Sequence, residues 1–415
     1  MSHLSIEDII EFVEENDVKF IRLAFCDLYG TQKNISIMPQ ELKTAFEDGI
    51  NFDSFLILGY SNVEKDLFLK PDPDTLHVLP WRPQSGRVIR FYCDVVYADG
   101  TPFSLDYRHF LKDTLKECEE MGFTTRMGLK SEFYLFKTDE NGNPTREPFD
   151  NGGYLDVAPN DKGENIRREI CLTLEEMGIS PQSSHHERGP GQNEIDFESA
   201  DVLTTADNLV TYKNVVENIA ARNGAYACFE PKPIEGAPGN GLHIRMANYK
   251  GETNLVTEDK DFSESFMAGI INRMRDITLF LNCRADSYNR FGQQEAPKYI
   301  TWSQQNNSRL FRVPEINGKR KHFILRSPDS CINPYLASAI ILQAGMAGVR
   351  GKEKLPPALE INSRLLTDDN QSAYLEMLPQ TIEEAIECAS NSEFIKQSSF
   401  ADIAKNYIET ITASI

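Results

Sequence analysis

Apolar residues recur at helical spacing in some stretches of the chain and cluster or alternate in others. Ile6, Ile9, Ile10 and Val13 share one stripe and predict a short amphipathic helix over 5–15. Val18–Cys26 is dense in apolar and β-forming residues, stops at Asp27-Leu-Tyr-Gly30, and predicts a strand. Further helices are predicted over 106–121, over 164–177 (Ile166, Ile170, Leu174 and Met177 in register) and over 263–281 (Phe266, Ile270, Met274, Ile277, Leu281). Pro334 stands where a first-turn proline opens a helix over 335–345. Strands are predicted over 87–96, 130–136 and 323–326, and on both sides of Gly189-Pro-Gly191. Turns separate strands as often as helices do. That pattern predicts an α+β fold with a mainly antiparallel sheet rather than a doubly wound one.

A chain of 415 residues exceeds the usual single domain. Prolines at 71, 73, 80 and 83 interrupt the pattern between 70 and 100, so a small N-terminal unit over 1–100 and a large unit over 101–415 are predicted. There is no internal repeat. The formal charge of −20, from 63 acidic against 43 basic residues, repels phosphate backbones and argues against nucleic-acid binding. No apolar run approaches the roughly 18 residues of a membrane helix, and the acidic, amphipathic start is unlike a signal peptide. Eight scattered cysteines with no CxxC pair point to reduced thiols in a cytoplasm, most of them small buried apolar side chains.

The chemistry concentrates in Ser184-His-His-Glu187-Arg-Gly-Pro-Gly191-Gln-Asn-Glu194. A Gly-Pro-Gly turn between two short strands can fold Glu187 and Glu194 onto one face. Converging carboxylates repel unless a cation lies between them, which suits Mg²⁺ or Mn²⁺. A solvated acidic hairpin is the alternative by spacing alone. On the strand at 130–136, Lys130, Glu132 and Tyr134 point one way and Phe133 and Leu135 the other, so Glu132 is a third candidate carboxylate.

These residues carry a resemblance. Asp27-x-x-Gly30, Gly128-x-x-x-Glu132-Phe-x-Leu-Phe136, His186-Glu187 through Gly191-Gln-x-Glu194-Ile, Gly239-x-Gly-x-His243, Ser287-Tyr-x-Arg290, Glu295-Ala-Pro and Asp329-x-x-x-Asn333-Pro-Tyr-Leu occur in the order of glutamine synthetases, and the chain is similar to the bacterial class I type from about residue 18 to 348. The resemblance implies a β-grasp-like N-terminal domain, a catalytic domain with a curved antiparallel sheet flanked by helices, and a ring-shaped homo-oligomer, commonly a dodecamer. It implies ATP and divalent metal as cofactors, and an acid and ammonia or another amine as substrates, joined through a γ-glutamyl-phosphate-type intermediate. Glu132, Glu187 and Glu194 match the first metal site. Arg290, Arg326 and Gly239 match the substrate-binding positions, Arg312 a phosphate-binding arginine and Glu295 the flap glutamate, in a segment one residue shorter than usual. Asp53 matches an aspartate lent by the neighbouring subunit to deprotonate ammonium.

The resemblance also has gaps. The family's second metal site takes two glutamates where this chain has Lys130 and Ile324, and only its histidine, His243, is kept. A lysine ammonium about 4 Å from a divalent cation costs roughly 8 kcal/mol at an effective dielectric near 20, so one metal ion is expected instead of two. Arg245, Asn307, His322 and Pro238 also differ from the family's residues. Lys130 and Arg245 restore positive charge beside the missing cation, next to the nucleotide phosphates. Pro238, and the Ser54-Phe-Leu segment after Asp53, point to an acid or amine other than glutamate and ammonia. The readings that stay open are an ATP-dependent acid–amine ligase, an impaired paralogue that binds nucleotide and co-assembles with or regulates an active synthetase, and a phosphotransferase.

Overall fold

The computed structural model describes residues 5–60, 65–82, 85–360 and 375–415; Pro83, one of the boundary prolines, lies outside them. Among the described residues the strands gather into two main sheets. The smaller runs in the order Gln32–Ile37, Val18–Cys26, Arg87–Tyr97, Leu67–Pro71, Ile50–Phe52, with His77–Val78 also on Arg87–Tyr97. Val18–Cys26 and Arg87–Tyr97 pair in parallel, with Ile21 opposite Ile89 and Leu23 opposite Phe91. Helix Ile6–Glu15 is opened by a capping box between Ser5 and Asp8. It turns Ile9 and Val13 into the core of this sheet while Ile6 stays at the solvent edge.

The larger sheet is built on Thr124–Thr138, whose central register decides where the chemistry lies. On one side it pairs antiparallel with Leu242–Lys250, setting His243 opposite Lys130. On the other it pairs with Gln192–Phe197, setting Glu194 opposite Glu132 and Asp196 opposite Lys130. Strands Pro181–His186, Phe323–Leu325, Phe311–Arg312 and Trp302–Ser303 extend the sheet, and all its pairings but the last are antiparallel. Helices Tyr107–Glu120, Val202–Arg222 and Pro334–Gly351 pack against one another and share one apolar core with Phe133 and Leu135 of the central strand. The opposite face of that strand is left for polar side chains.

The helix expected over 263–281 is two helices, Lys260–Asn272 and Met274–Leu281. Arg273 breaks it: its backbone leaves the helical region (φ −109°, ψ 8°), and its guanidinium donates back to the Gly269 carbonyl and across to Glu353. The first helix starts earlier than its apolar stripe because Asp259 caps it. Gly269 and Gly348 let this helix and Pro334–Gly351 touch through their backbones; a Cβ on Gly269 would lie 2.4 Å from the Ala344 carbonyl. All eight cysteines are free thiols, and among the described residues no helix is long and apolar enough to cross a membrane.

A buried ion network joins the two sheets. Arg108, 4% exposed, is 2.9 Å from Asp72 and from Asp94 of the smaller sheet's unit and 3.0 Å from Asp207 on helix Val202–Arg222. Lys112 bridges the same Asp72 and Asp94, and the Tyr335 hydroxyl donates to Asp207 at 2.7 Å. Removing one member of such a set leaves buried charge uncompensated. Arg108→Ala is expected to lower unfolding free energy by about 3–5 kcal/mol in urea denaturation, whereas Lys405→Ala, on an exposed pair, should stay within about 0.5 kcal/mol.

Candidate active site

The Gly-Pro-Gly turn closes through the Gln192 N–H to the Gly189 carbonyl (2.9 Å) and the Glu187 N–H to the Gln192 carbonyl (2.8 Å). Gly191 has φ +70°, and its N–H donates to Asp150 at 2.9 Å. The same Asp150 oxygen is 2.8 Å from His186 Nε2, while His186 Nδ1 sits 2.6 Å from the Glu187 carbonyl. Both ends of the turn are thus braced from behind by one buried Asp–His pair, and both ring nitrogens face oxygen acceptors.

In front of the turn, Glu194 is 4% exposed. Its Oε1 accepts from Lys130 Nζ at 3.2 Å and lies 3.2 Å from His185 Nε2. Lys130 Nζ also lies 2.6 Å from Asp196 Oδ2, whose other oxygen is buried without a partner. Glu132 accepts from the Gly241 N–H (2.9 Å) and from the Gln192 amide (3.2 Å). Burial, with the charges of Glu194 and Glu187, pushes the Glu132 carboxyl up to about 8. Burial would raise Glu194 too, but the hydrogen bond with His185 and the charge of the Lys130 ammonium hold it well below the ordinary carboxylate range. Burial and Arg326 keep the His243 imidazole neutral, the form that ligates metals.

Among the described residues three triads bring donor atoms within 4.8 Å of one another: Asp150, Asp161 and His186, buried behind the turn, and, on the cavity side, Glu132, Glu194 and His243, and His185, Glu187 and Glu194. Neither of the two cavity-side triads contains both Glu132 and Glu187. Glu194 is common to both. Oxygen and imidazole donors of this kind fit a hard or borderline divalent ion.

Two cavities meet at this wall. The first, of about 430 Å³, is lined by Glu132, Glu187, Glu194, Gly239, Arg290, Glu295 and Arg326 among others. The second, of about 540 Å³, holds Asp196, Arg245 and His322. Lys130, His243, Arg312 and Ile324 line both. Arg312 Nε and Arg326 Nε are buried without a partner, so each offers a spare donor. Arg290 is committed more deeply, to the carbonyls of Ser327 and Pro328 and to Asp329. Gly239 is a close approach: a Cβ there would lie 2.5 Å from the Pro231 carbonyl and 2.6 Å from Arg290 Cγ. Arg245 turns towards Gln182 (2.9 Å) and Ser199 (3.2 Å) rather than towards Lys130. Asp53 lines neither cavity. It sits exposed on the smaller sheet's unit, accepting from the Phe55 N–H at 3.1 Å.

Sequence reasoning missed Asp196, His185, Asp150 and Arg188. Asp196 had a signal, since it follows Glu194 by two positions and must share its face of the strand. Asp150 had none, because only the fold brings it behind the turn.

Models of the glutamine synthetase β-grasp domain and of the glutamine synthetase catalytic domain match residues 17–98 and 104–413. The chain is 41% identical to a glutamine synthetase of Clostridium saccharobutylicum, covering 98% of this chain and 94% of that one. It is also 41% identical to one of Methanosarcina mazei, covering 97% and 92%. Among solved structures it is similar to a GmaS/ADP complex, with a TM-score of 0.89 and 26% identity over 98% of this chain and 95% of that chain. The chain belongs to the glutamine synthetase family, enzymes that are ATP-dependent ligases using a divalent metal.

The raised Glu132 carboxyl has a consequence for stability. Folded, it keeps its proton to about pH 8, whereas in an unfolded chain it loses the proton near pH ~4.3. Stability from this group is therefore present at low pH and is lost as pH rises through that window. In chelator-containing buffer, Glu132→Gln is expected to be more stable than the wild type at pH 9 by at least about 1 kcal/mol, and near equal at pH 5, in urea denaturation.

Proposed function

We propose that this enzyme joins a small carboxylic acid to ammonia or an amine, forming an acyl-phosphate intermediate at the expense of ATP, with one divalent ion per subunit and the Lys130 ammonium in place of a second. The observation that carries this reading is the position of Lys130, between Glu194 and Asp196 on the wall shared by the two cavities. An ammonium held at 2.6 Å by one buried carboxylate and 3.2 Å by another supplies fixed positive charge where a second cation would sit.

In this reading Glu132, Glu187 and Glu194 hold the ion, and His243 reaches it from the kept half of the second site. A bound divalent ion supplies charge neutralisation for the phosphates. Arg326 and Arg290 orient the acid's carboxylate, with Gly239 leaving room beside Arg290, and Arg312 meets the transferred phosphoryl group. The second cavity takes the nucleotide, with Arg245 on its rim; the ADP bound in the GmaS complex of the same fold supports a nucleotide here. Glu295 closes over the reacting centre.

Asp53 enters from a neighbouring copy of the chain in a homo-oligomeric ring, the arrangement implied by the family. Its neighbours Phe55 and Leu56 are 68% and 79% exposed, and Tyr154, Leu155 and Val157 by the first cavity are also exposed. Exposed apolar side chains on both units suit an association surface. The same Phe55 and Leu56 make the amine side less polar, and Pro238, whose carbonyl is taken by the Tyr134 hydroxyl at 2.7 Å, offers no side-chain donor to an acid's amino group. Both features favour substrates other than glutamate and ammonia.

One observation favours a second reading. Lys130 competes with any cation for Glu194, as it would in an impaired subunit that binds nucleotide and assembles with an active synthetase.

Manganese binding followed by electron paramagnetic resonance is expected to give one tight ion per subunit with ADP, and ADP release should depend on an added acid and amine. Two tight ions would remove the substitute role of Lys130; one ion with no turnover against a broad panel would favour the impaired subunit. Phosphorylated acid accumulating without amide would mark a phosphotransferase. Glu194→Ala should abolish metal binding, and Phe55→Asp with Leu56→Asp should reduce the assembly to smaller species in light scattering.

A further inference from the structure

Arg188 has no part in the assignments above, yet it joins the acidic turn to the flap. Its backbone N–H donates to Glu187 Oε2 at 3.1 Å, and its Nη2 donates to Glu295 Oε1 at 2.7 Å. The guanidinium lies 5.8 Å from the centre of the Tyr154 ring. The other Glu295 oxygen is 3.5 Å from Arg326 Nη2. Tyr154, Arg188, Glu295 and Arg326 thus form an unbroken line, and all four border the first cavity.

The flap end of this line is a tight turn. The Gly292 N–H donates to the Ala296 carbonyl (3.2 Å) and the Ala296 N–H to the Gln293 carbonyl (3.0 Å). Lys232 holds the Gln293 side chain at 2.7 Å. Gln294 has φ +53°, a left-handed conformation that a residue with a Cβ keeps only where its surroundings impose it. The contacts of Glu295 with Arg188 and Arg326 supply part of that constraint. The Arg188–Glu295 pair is more than a third exposed on both sides, and pairs in such a setting are weak. It can hold the turn at rest and still let go on each cycle.

We propose that Arg188 is a latch: a positioning residue that seats the 292–296 turn over the first cavity by binding Glu295, and that gives Glu295 up to the cationic amine or ammonium as it enters. The release half rests on the ligase reading above; the seating half does not. Both oxygens of Glu295 already face guanidinium groups, so an arriving ammonium competes with them for the carboxylate, and Arg188 is the more exposed of the two.

Full-length wild type, Arg188→Ala and Arg188→Lys are to be compared by hydrogen exchange and steady-state kinetics. In Arg188→Ala, amide exchange over 292–296 is expected to be about five- to tenfold faster with the rest of the large sheet unchanged, and Arg188→Lys should fall between. With ammonium as the probe, or ethylamine where the wild type turns over no ammonium, Arg188→Ala is expected to lower the KM for that cation by about two- to fivefold while the KM for ATP stays constant. Unchanged exchange over 292–296 overturns the latch. Faster exchange with an unchanged or raised KM for the ammonium or ethylamine probe overturns the release step. A wild type that forms no amide from any acid and amine sinks the ligase reading and the release step together, and the seating role is then decided by exchange alone.

Discussion

A carboxylate shut away from water must be matched by positive charge, and in this enzyme Glu194 is the group that imposes the condition. Almost without solvent contact, it would neutralise itself by taking up a proton if it stood alone. It stays ionised because the Lys130 ammonium donates to it and His185 lies within hydrogen-bond distance of the same oxygen. The position of Lys130 and the contrasting behaviour of Glu132 next door both follow from balancing that one charge. Asp196 belongs to the same balance: it shares the lysine, and two acids around one ammonium fix that ammonium more firmly than either could.

The balance is possible because a single strand carries its centre. Thr124–Thr138 presents Phe133 and Leu135 to the helices and Lys130 and Glu132 to the polar side. Its two neighbours are in a register that puts His243 and Asp196 on either side of Lys130 and Glu194 beside Glu132. A slip of one residue would turn every one of these groups into the apolar core. The helices behind the sheet, and the Arg108 network that ties them to the smaller sheet, make that slip inaccessible.

Much of this was legible in the chain itself. The strand at 130–136 and the arms of the Gly-Pro-Gly turn follow from alternation and turn chemistry, because both are local. The break at Arg273 was not legible, since the apolar period runs straight through it and the cause is a tertiary contact with Glu353. The acidic residues could be nominated, but their grouping could not. Which three donors converge depends on cross-strand distances of a few ångströms and on repulsion among like charges. Arg245 shows the same limit: its position in the sequence pointed to the phosphate side beside Lys130, while its side chain is held by Gln182 and Ser199.

The shared lysine also bears on how such a sequence can change over generations. A glutamate at position 130 would set a new acid among Glu194, Glu132 and Asp196 with their compensating ammonium gone. Residues sharing one partner in this way do not act independently, so the effect of one substitution among them depends on the others. Glu194 and Asp196 therefore set what any substitution at Lys130 does, because both lose the same ammonium at once.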